Sequence, residues 1–120
     1  MRINNNTIKA SEIRLPAKEL LPELAVLRDI KFSYKRDAND KLTKDIEFVK
    51  YELIDDTNFN IFTIKVKSEE PIVELKELEK SENPIYVQIP LDETVIKPYA
   101  LEYGNLKLSI TSPFVKLAEN

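Results

Sequence analysis

Residues 31–55 combine an unusual number of basic and aromatic side chains. Basic residues alternate here with rings: the basic residues are Lys31, Lys35, Arg36, Lys41, Lys44 and Lys50, and the rings are Phe32, Tyr34, Phe48 and Tyr51. Aromatic rings stack on unpaired bases and contribute about 1–3 kcal/mol per base, while cations follow the phosphates. The mixture predicts a groove that fixes the phosphate backbone and offers rings to the bases, without base-specific recognition.

The charge of the chain is divided unevenly between its two parts. Residues 1–50 hold 11 Lys and Arg against 8 Asp and Glu, whereas residues 51–120 hold 7 against 13, so the net charge of −3 combines +3 with −6. A phosphate backbone responds to the local groove, and an acidic surface elsewhere does not prevent a basic stripe from binding it. The negative net charge therefore does not exclude a nucleic-acid partner.

Composition argues against most enzyme chemistry. The chain has no Cys and no His, which removes thiolate nucleophiles, disulfides, Cys/His zinc sites and the usual general base at neutral pH. Its only glycine, Gly104, cannot build a P-loop or a dinucleotide-binding turn. The 21 carboxylates leave a carboxylate-pair hydrolase or a Mg²⁺ site formally open, but Asp55-Asp56 and Asp92-Glu93 are typical of turns. We predict a non-enzymatic protein without a cofactor.

Length and hydropathy predict one domain, residues 1–120, with a single core. No run of about 18 apolar residues could span a bilayer, and residues 1–6 lead into no apolar signal segment. We therefore expect no membrane association and a cytoplasmic location. Residues 1–25 form an N-terminal extension in which residues 7–15 could be a strand and residues 16–24 a helical turn or a loop.

Hydrophobic periodicity predicts five strands and one helix. The strands are residues 26–35, 44–54, 59–67, 85–91 and 106–111, the helix is residues 71–80, and residues 92–105 form a long loop. In the first strand Val26, Ile30, Phe32 and Tyr34 share a face with Arg28. The first three strands form an antiparallel meander.

The third strand separates its apolar and charged residues between two faces. Its predicted faces are Phe62, Ile64 and Val66 on one side and Phe59, Ile61, Lys65 and Lys67 on the other. A register error of one residue would exchange the faces, and an aromatic residue in a strand is commonly part of the core. Strand lysines also serve as solvated charges that prevent edge pairing.

The order of elements predicts an all-β protein with a five-stranded OB-fold-like barrel, β-β-β-α-β-β. Other small β folds with one helix could produce the same order. In OB folds the ligand crosses the second and third strands, between the loop joining strands one and two and the loop joining strands four and five. The candidate nucleic-acid-binding residues are Tyr34, Arg36, Lys41, Phe48, Lys50, Phe59, Lys65, Lys67, Tyr86, Lys97 and Tyr99, with Lys44 and Tyr103 in the two loops.

Residues 84–93 (PIYVQIPLDE) and 106–110 (LKLSI), together with the barrel order and the short length, resemble the small OB-fold single-stranded DNA-binding proteins of bacteriophages and conjugative elements. The resemblance implies a protein that coats DNA in replication or recombination, without catalysis, as a dimer or tetramer that meets replication or recombination proteins. The cellular bacterial proteins of this type end in a disordered acidic tail. This chain ends FVKLAEN, so recruitment of partners through such a tail is not expected.

A structural or adaptor protein is the alternative prediction. In a small β-rich component of a phage particle or conjugation apparatus, the exposed rings would anchor protein contacts. The sequence does not separate an interface anchor from a stacking platform.

Overall fold

The computed structural model describes residues 13–118, which form one sheet and two short helices. The elements in chain order are α1 (Ala17–Leu20), β1 (Leu24–Arg36), β2 (Leu42–Ile54), β3 (Ile61–Val66), α2 (Leu75–Lys80), β4 (Tyr86–Gln88), β5 (Val95–Glu102), β6 (Asn105–Ser112) and β7 (Lys116–Leu117). The all-β class is therefore confirmed, as is the meander of β1, β2 and β3.

The seven strands lie in the order β5-β6-β3-β2-β1-β4-β7. Neighbouring strands are antiparallel except β3 and β6, which run parallel over a short stretch. The sheet is not closed, so the predicted five-stranded barrel is not confirmed. β4 and β5 follow one another in the chain but lie towards opposite ends of the strand order, because β4 pairs with β1 and β5 pairs with β6.

A single apolar core lies on one face of this sheet, which we call the core face. β2 contributes Val49, Tyr51 and Leu53, and strands from both ends of the order contribute Val87 and Ile96 to the same cluster. Because residues from both ends meet in one core, the sheet curls around it. The opposite surface of the strands is the outer face.

Helix α2 and the segment before it cover part of the core. Leu75 and Leu78 of α2 pack against the buried cluster, and Val73 just before α2 is itself buried. The Ile72 N–H donates to the Tyr51 hydroxyl at 3.0 Å, so the buried phenol keeps a polar partner. Burial raises the pKa of the Tyr51 phenol, and the hydrogen bond from Ile72 opposes that rise.

A bulge at Arg28 changes which residues of β1 face the core. Leu27 pairs with Leu53 and Asp29 pairs with Glu52, so Arg28 is the extra residue. The prediction that Val26 and Arg28 share a face with Ile30 is therefore wrong. Val26 lies on the outer face, and Arg28 is exposed beside Glu52, with its Nε 3.6 Å from Oε1.

The predicted long loop at residues 92–105 is wrong. Most of this segment forms β5, although it contains Pro98, and proline is rare in strands. Proline is tolerated in a strand when its missing N–H faces an unpaired edge, and β5 is one of the two edge strands of this sheet. The strand turns into β6 through Tyr103 and Gly104, both with positive φ (51° and 79°), as a two-residue hairpin turn requires.

The other element boundaries predicted from the sequence lie closer to those of the structure. Helix α2 is shorter than predicted because residues 71–74 are not helical, and α1 confirms the single helical turn after Pro16. β4 is shorter than the predicted strand of residues 85–91. The predicted strand of residues 7–15 lies largely outside the described residues, although Leu15 forms an isolated antiparallel bridge with Ile96.

The closing residues pack back on the body in part. Val115 is buried, and β7 pairs with β4, whereas Phe114 and Leu117 keep more than a third of their surface exposed. Within residues 13–118, neither helix has the length and apolar character needed to cross a membrane.

Candidate nucleic-acid interface

Three lysines lie side by side across the outer face of β1, β2 and β3. Lys31 is directly opposite Lys50, and Lys50 is directly opposite Lys65. Directly paired residues of antiparallel strands lie on the same face with Cβ atoms about 4.5–5.5 Å apart. We call Lys31, Lys50 and Lys65 the lysine row. It forms because Ile30, Tyr51 and Ile64, each adjacent to a lysine of the row, point into the core.

Within residues 13–118 no carboxylate forms an ion pair with the lysine row, and Asp29 and Glu52 lie on the same face two residues along from Lys31 and Lys50. The ion pairs among residues 13–118 are Lys18–Asp92, Arg28–Glu52 and Arg36–Asp40, and none involves the row. Like charges directly opposite one another destabilise a sheet by roughly 0.2–1 kcal/mol per pair. The fold therefore holds a concentration of positive charge that an anionic partner would relieve.

Phe48 adds a ring to the same face. It lies two residues before Lys50 on β2, is paired with Ser33, and is half-buried. The Lys65 ammonium sits 5.0 Å from the centroid of the Phe48 ring, a cation–π contact. The ring and the ammonium thus form one amphipathic surface on which a base and its phosphate could both be held.

A cleft opens beside the lysine row. β3 and β6 pair only at Lys65–Thr111 and Val66–Ser112, and the earlier part of β6 diverges from β3. The resulting cleft has a volume of about 450 Å³ and is lined by Lys50, Thr63, Lys65, Tyr99, Leu108, Ser109 and Ile110. Two of the predicted basic residues, Lys50 and Lys65, and one predicted aromatic residue, Tyr99, therefore line a single cleft.

Tyr99 reaches this cleft from an irregular position in β5. The register of β5 against β6 shifts between Pro98 and Ala100, which makes Tyr99 the bulged residue. Bulges redirect side chains next to functional sites. Tyr99 is 64% exposed, so its ring is free to take a stacking partner.

A neighbouring cleft of about 420 Å³ brings Lys67 and Lys97 together. It shares Ser109 with the first cleft, so the two are adjacent. Lys97 is opposite Ser109 on the outer face, and Glu93 is the acidic residue of the lining. The basic surface thus extends from the lysine row across β6 to β5.

The structure does not bring Tyr34 onto this surface. A second bulge, at Glu47, puts Tyr34 opposite Ile46 on the core face, whereas Ser33 and Phe48 lie on the outer face. Tyr34 is nevertheless 39% exposed, because the end of the β1–β2 hairpin extends beyond the packed core.

Arg36 and Lys41 lie at the tip of the same hairpin, in a closed turn. The Arg36 guanidinium donates to the Asp40 carbonyl oxygen at 2.9 Å, and the Asp37 N–H donates to the Lys41 carbonyl oxygen at 2.9 Å. Asp37 and Asp40 make the tip mixed in charge rather than uniformly basic. Lys44 is exposed further down β2.

Phe59 does not lie on the third strand, so that prediction is wrong. It belongs to the turn between β2 and β3, with φ 59° and 71% exposure. Its N–H donates to the Asp55 carbonyl oxygen at 2.7 Å, while the Asp55 carboxylate accepts from the Thr57 N–H at 2.9 Å and from Asn58. A fixed turn therefore displays this ring away from the lysine row.

Tyr86 is also on the outer face but in another part of it. It pairs with Val26, which pairs with Ile54, which pairs with Ile61. This apolar row is four residues along β2 from Lys50, or about 13 Å. The Tyr86 hydroxyl donates to Asp56 Oδ2 at 3.0 Å, and this hydrogen bond and the Asp56 charge raise the pKa of the phenol.

Lys31 is the functional candidate that the site prediction omitted. From the sequence it is only one of the basic residues of the stretch 31–55. Its alignment with Lys50 and Lys65 depends on the hairpin register, which two irregularities between Lys31 and the turn set, one at Ser33/Tyr34 and one at Tyr34/Arg36. Counting residues from the turn alone does not reveal it.

No group of three or more Asp and Glu side chains within residues 13–118 is arranged to hold a metal ion. The candidate site of this part of the chain is thus a cationic and aromatic surface, built from Lys31, Phe48, Lys50, Lys65 and Tyr99 and continued by Lys67 and Lys97. No protein-family model matches the chain, and no curated protein or solved structure is significantly similar to it.

Proposed function

We propose that this protein binds single-stranded DNA without catalysis and with little sequence preference. The observation that carries the proposal is the lysine row, in which three lysines on adjacent strands lie beside the half-buried Phe48 ring and a cleft. Nucleic-acid phosphates supply the regular negative charge that would relieve the repulsion within the row.

Single-stranded rather than duplex nucleic acid is favoured by the rings. Phe48 and Tyr99 flank the lysines, and stacking on a ring requires a base that is not already paired and stacked in a helix. The backbone would follow the lysine row and the cleft, while bases turn towards these two rings.

The OB-like barrel belongs to the same proposal. It is supported by the order of the elements, with three antiparallel strands, a helix after the third, and β6 alongside β3. It is also supported by the curl of the sheet around one core. On this proposal β4 and β5 act as two parts of one interrupted strand that joins both ends of the sheet.

The biological setting rests on the resemblance to small phage and conjugative-element proteins. We propose action in replication or recombination of such an element, as a homo-oligomer in the cytoplasm of a bacterial host, with replication or recombination proteins as neighbours. A structural or adaptor role is the second candidate, since apolar side chains at the tip of the β5–β6 hairpin are exposed.

The direct test compares two variants with the same change in net charge. Lys50→Gln/Lys65→Gln removes two charges from the row, and Lys76→Gln/Lys80→Gln removes two from the segment of α2. Each lysine that neutralises a phosphate of a single strand contributes about 0.7 to the slope of log affinity against log salt. We expect the first variant to bind labelled oligo-dT at least tenfold more weakly with a flatter slope, and the second to match wild type. Equal behaviour of both variants would reject the lysine row as the site.

A further inference from the structure

The apolar row on the outer face, Tyr86, Val26, Ile54 and Ile61, crosses four neighbouring strands, β4, β1, β2 and β3. Its end residues are exposed, Ile61 to 51% and Tyr86 to 38%, and the two residues between them are half-buried. Single exposed apolar side chains are ordinary on a protein surface, but a continuous patch of them marks a contact site.

Both helices within residues 13–118 pack on the core and not on this row. Ala17 of α1 belongs to the core cluster, and Leu75 and Leu78 of α2 pack against the same cluster. The apolar row is therefore left to solvent on the face of the sheet that points away from the core.

Carboxylates flank the apolar row on both sides. Towards the lysine row, Asp29 lies directly opposite Glu52, which is two residues along β2 from Ile54. On the other side is Asp56, two residues beyond Ile54, whose Oδ2 accepts the hydrogen bond from the Tyr86 hydroxyl at 3.0 Å. Two residues of a strand span about 7 Å, so each flank lies about that far from the row.

A groove between β1 and α2 continues these acidic surroundings. It has a volume of about 370 Å³ and shares Val26 with the apolar row. Its lining includes three acidic residues, Asp29, Glu79 and Glu82, against one basic residue, Arg28. Negative charge therefore extends past the row on the side of β1.

Few cations oppose these carboxylates. The Arg28 guanidinium lies beside Glu52, and Lys116, opposite Gln88 beyond the β4 end of the row, has its ammonium over the Phe114 ring. Asp29 and Asp56 take part in none of the three ion pairs within residues 13–118. Both flanks of the row thus keep an uncompensated negative charge.

We propose that the apolar row docks an amphipathic helix of a partner protein, one whose apolar stripe carries Lys or Arg along both edges. The row spans three inter-strand spacings of about 4.8 Å, or about 14 Å in all. A helix of about ten residues has this length. Laid along the row, such a helix places its cations beside Asp29 and Glu52 on one flank and beside Asp56 on the other.

Tyr86 is the expected anchor of this contact. Its hydroxyl is held by Asp56, so the ring keeps one orientation before the partner binds. Aromatic residues that are fixed in advance carry a large share of the binding energy at protein interfaces, because little side-chain freedom is lost when they are covered.

Other occupants suit the row less well. The carboxylates on both flanks repel the phosphates of a nucleic acid. A second copy of this chain offers no suitable helix within residues 13–118, because α1 has four residues and α2 carries Glu77 and Glu79 and packs its leucines on its own core. The proposal concerns a surface separate from the lysine row and does not depend on DNA binding.

Fluorescence anisotropy with labelled synthetic peptides tests the proposal. The first peptide has about 18 residues, enough to form a helix on its own, with leucines at helical spacing and lysines along both edges of the leucine stripe. A second peptide has the same composition in scrambled order, and a third has Glu in place of every Lys. We expect wild type to bind the first at least tenfold more tightly than the others. Equal affinity for the scrambled peptide, or no binding of the first, would overturn the proposal.

The variant Asp29→Asn/Asp56→Asn tests the charge contribution. It removes one carboxylate from each flank, and asparagine keeps an oxygen that can accept each local hydrogen bond. Asp40→Asn/Asp45→Asn, at the end of the β1–β2 hairpin, makes the same change in net charge and is the control. Affinity for the lysine peptide should fall at least fivefold in the first variant and match wild type in the control. Equal affinities would reject the carboxylate flanks.

The variant Val26→Thr/Ile61→Thr tests the apolar contact. It makes the row polar and keeps side chains that suit a strand. The control, Leu20→Thr/Leu42→Thr, changes two leucines exposed elsewhere (52% and 63%). The lysine peptide should bind the first variant at least tenfold more weakly and the control as it binds wild type; an equal loss in both would reject the row. Oligo-dT binding should be unchanged in the first variant, which separates this surface from the lysine row.

Chemical-shift mapping of isotope-labelled wild-type protein decides the case in which a variant does not fold by circular dichroism. The lysine peptide should shift the backbone amides of the apolar row and its two flanks, and not those of the β5–β6 hairpin. Shifts confined to the hairpin or to the lysine row would overturn the proposal.

Discussion

Lys50 lies directly opposite Lys65 across β2 and β3 and directly opposite Lys31 across β1 and β2. Each pairing places two positive charges on the same face at the closest spacing that a sheet offers. Repulsion between these lysines lowers the stability of the fold, and we propose that the same lysines bind DNA. One substitution in the row should therefore raise the free energy of unfolding and lower the affinity for DNA.

Lys50→Thr should make the fold more stable and DNA binding weaker. It removes two like-charge pairs and introduces a β-branched residue that suits a strand, so the free energy of unfolding should rise by about 0.5–1 kcal/mol. The gain should be larger at low salt. Urea unfolding at two salt concentrations and oligo-dT binding measure both effects. Lys35→Thr, on β1 but outside the row, should show neither; a destabilised Lys50→Thr would contradict the repulsion.

Phe48→Leu tests stacking. The substitution keeps an apolar side chain on the outer face but removes the ring, so the affinity for oligo-dT should fall by about tenfold or more while the urea midpoint changes little. Phe114→Leu is the matched control, because the Lys116 ammonium lies 5.2 Å from the Phe114 ring in the same kind of contact. If both variants bind like wild type, Phe48 is not a stacking platform.

Phe59→Asn should stabilise the protein and leave DNA binding unchanged. The bulky Phe59 adopts φ 59° with its ring exposed, a conformation that asparagine adopts more readily. Relief of this strain should raise the free energy of unfolding by about 0.5–1 kcal/mol. Weaker oligo-dT binding by a stable Phe59→Asn variant would show that the ligand extends to this turn.

The Tyr51 phenol predicts a stability loss at alkaline pH. Its pKa is raised in the folded state, so the folded protein holds this proton more tightly than the unfolded chain does. The resulting stability is complete below the unfolded pKa, about 10, and is lost as the pH rises through the folded pKa.

Tyr51→Phe removes this pH dependence and also the hydrogen bond from Ile72. The variant should be less stable than wild type at neutral pH by about 0.5–1.5 kcal/mol, and the difference should shrink as the pH rises above about 10. Tyr34→Phe, at an exposed ring, is the control. A difference that widens with rising pH would contradict the burial of an un-ionised Tyr51.

The sequence predicts the central meander well because its signals are local. Alternation alone identifies β2 and the two faces of β3, including Ile64 in the core and Lys65 outside. The helix after β3 is also evident, although its first turn is not formed. Charge and aromatic content draw attention to β2, and Lys50, Lys65 and Tyr99 line one cleft in the structure.

The predictions fail where a single residue shifts the alternation of side chains between the two faces of a strand or adopts an unusual backbone conformation. The bulge at Arg28 reverses the face of Val26, and alternation carries no signal of a bulge. Pro98 concealed β5, because proline is compatible with an edge strand and the sequence does not show which strand is the edge. Phe59 adopts a positive φ that a bulky residue rarely takes.

Binding of the wild-type protein to labelled oligo-dT, followed by fluorescence anisotropy at low and high salt with matched duplex DNA as competitor, tests the central claim most directly. We expect tight binding at low salt that weakens steeply as salt rises and that duplex does not displace. Absence of binding at low salt, or equal competition by duplex, would contradict a single-stranded DNA function for the lysine row and favour the adaptor role.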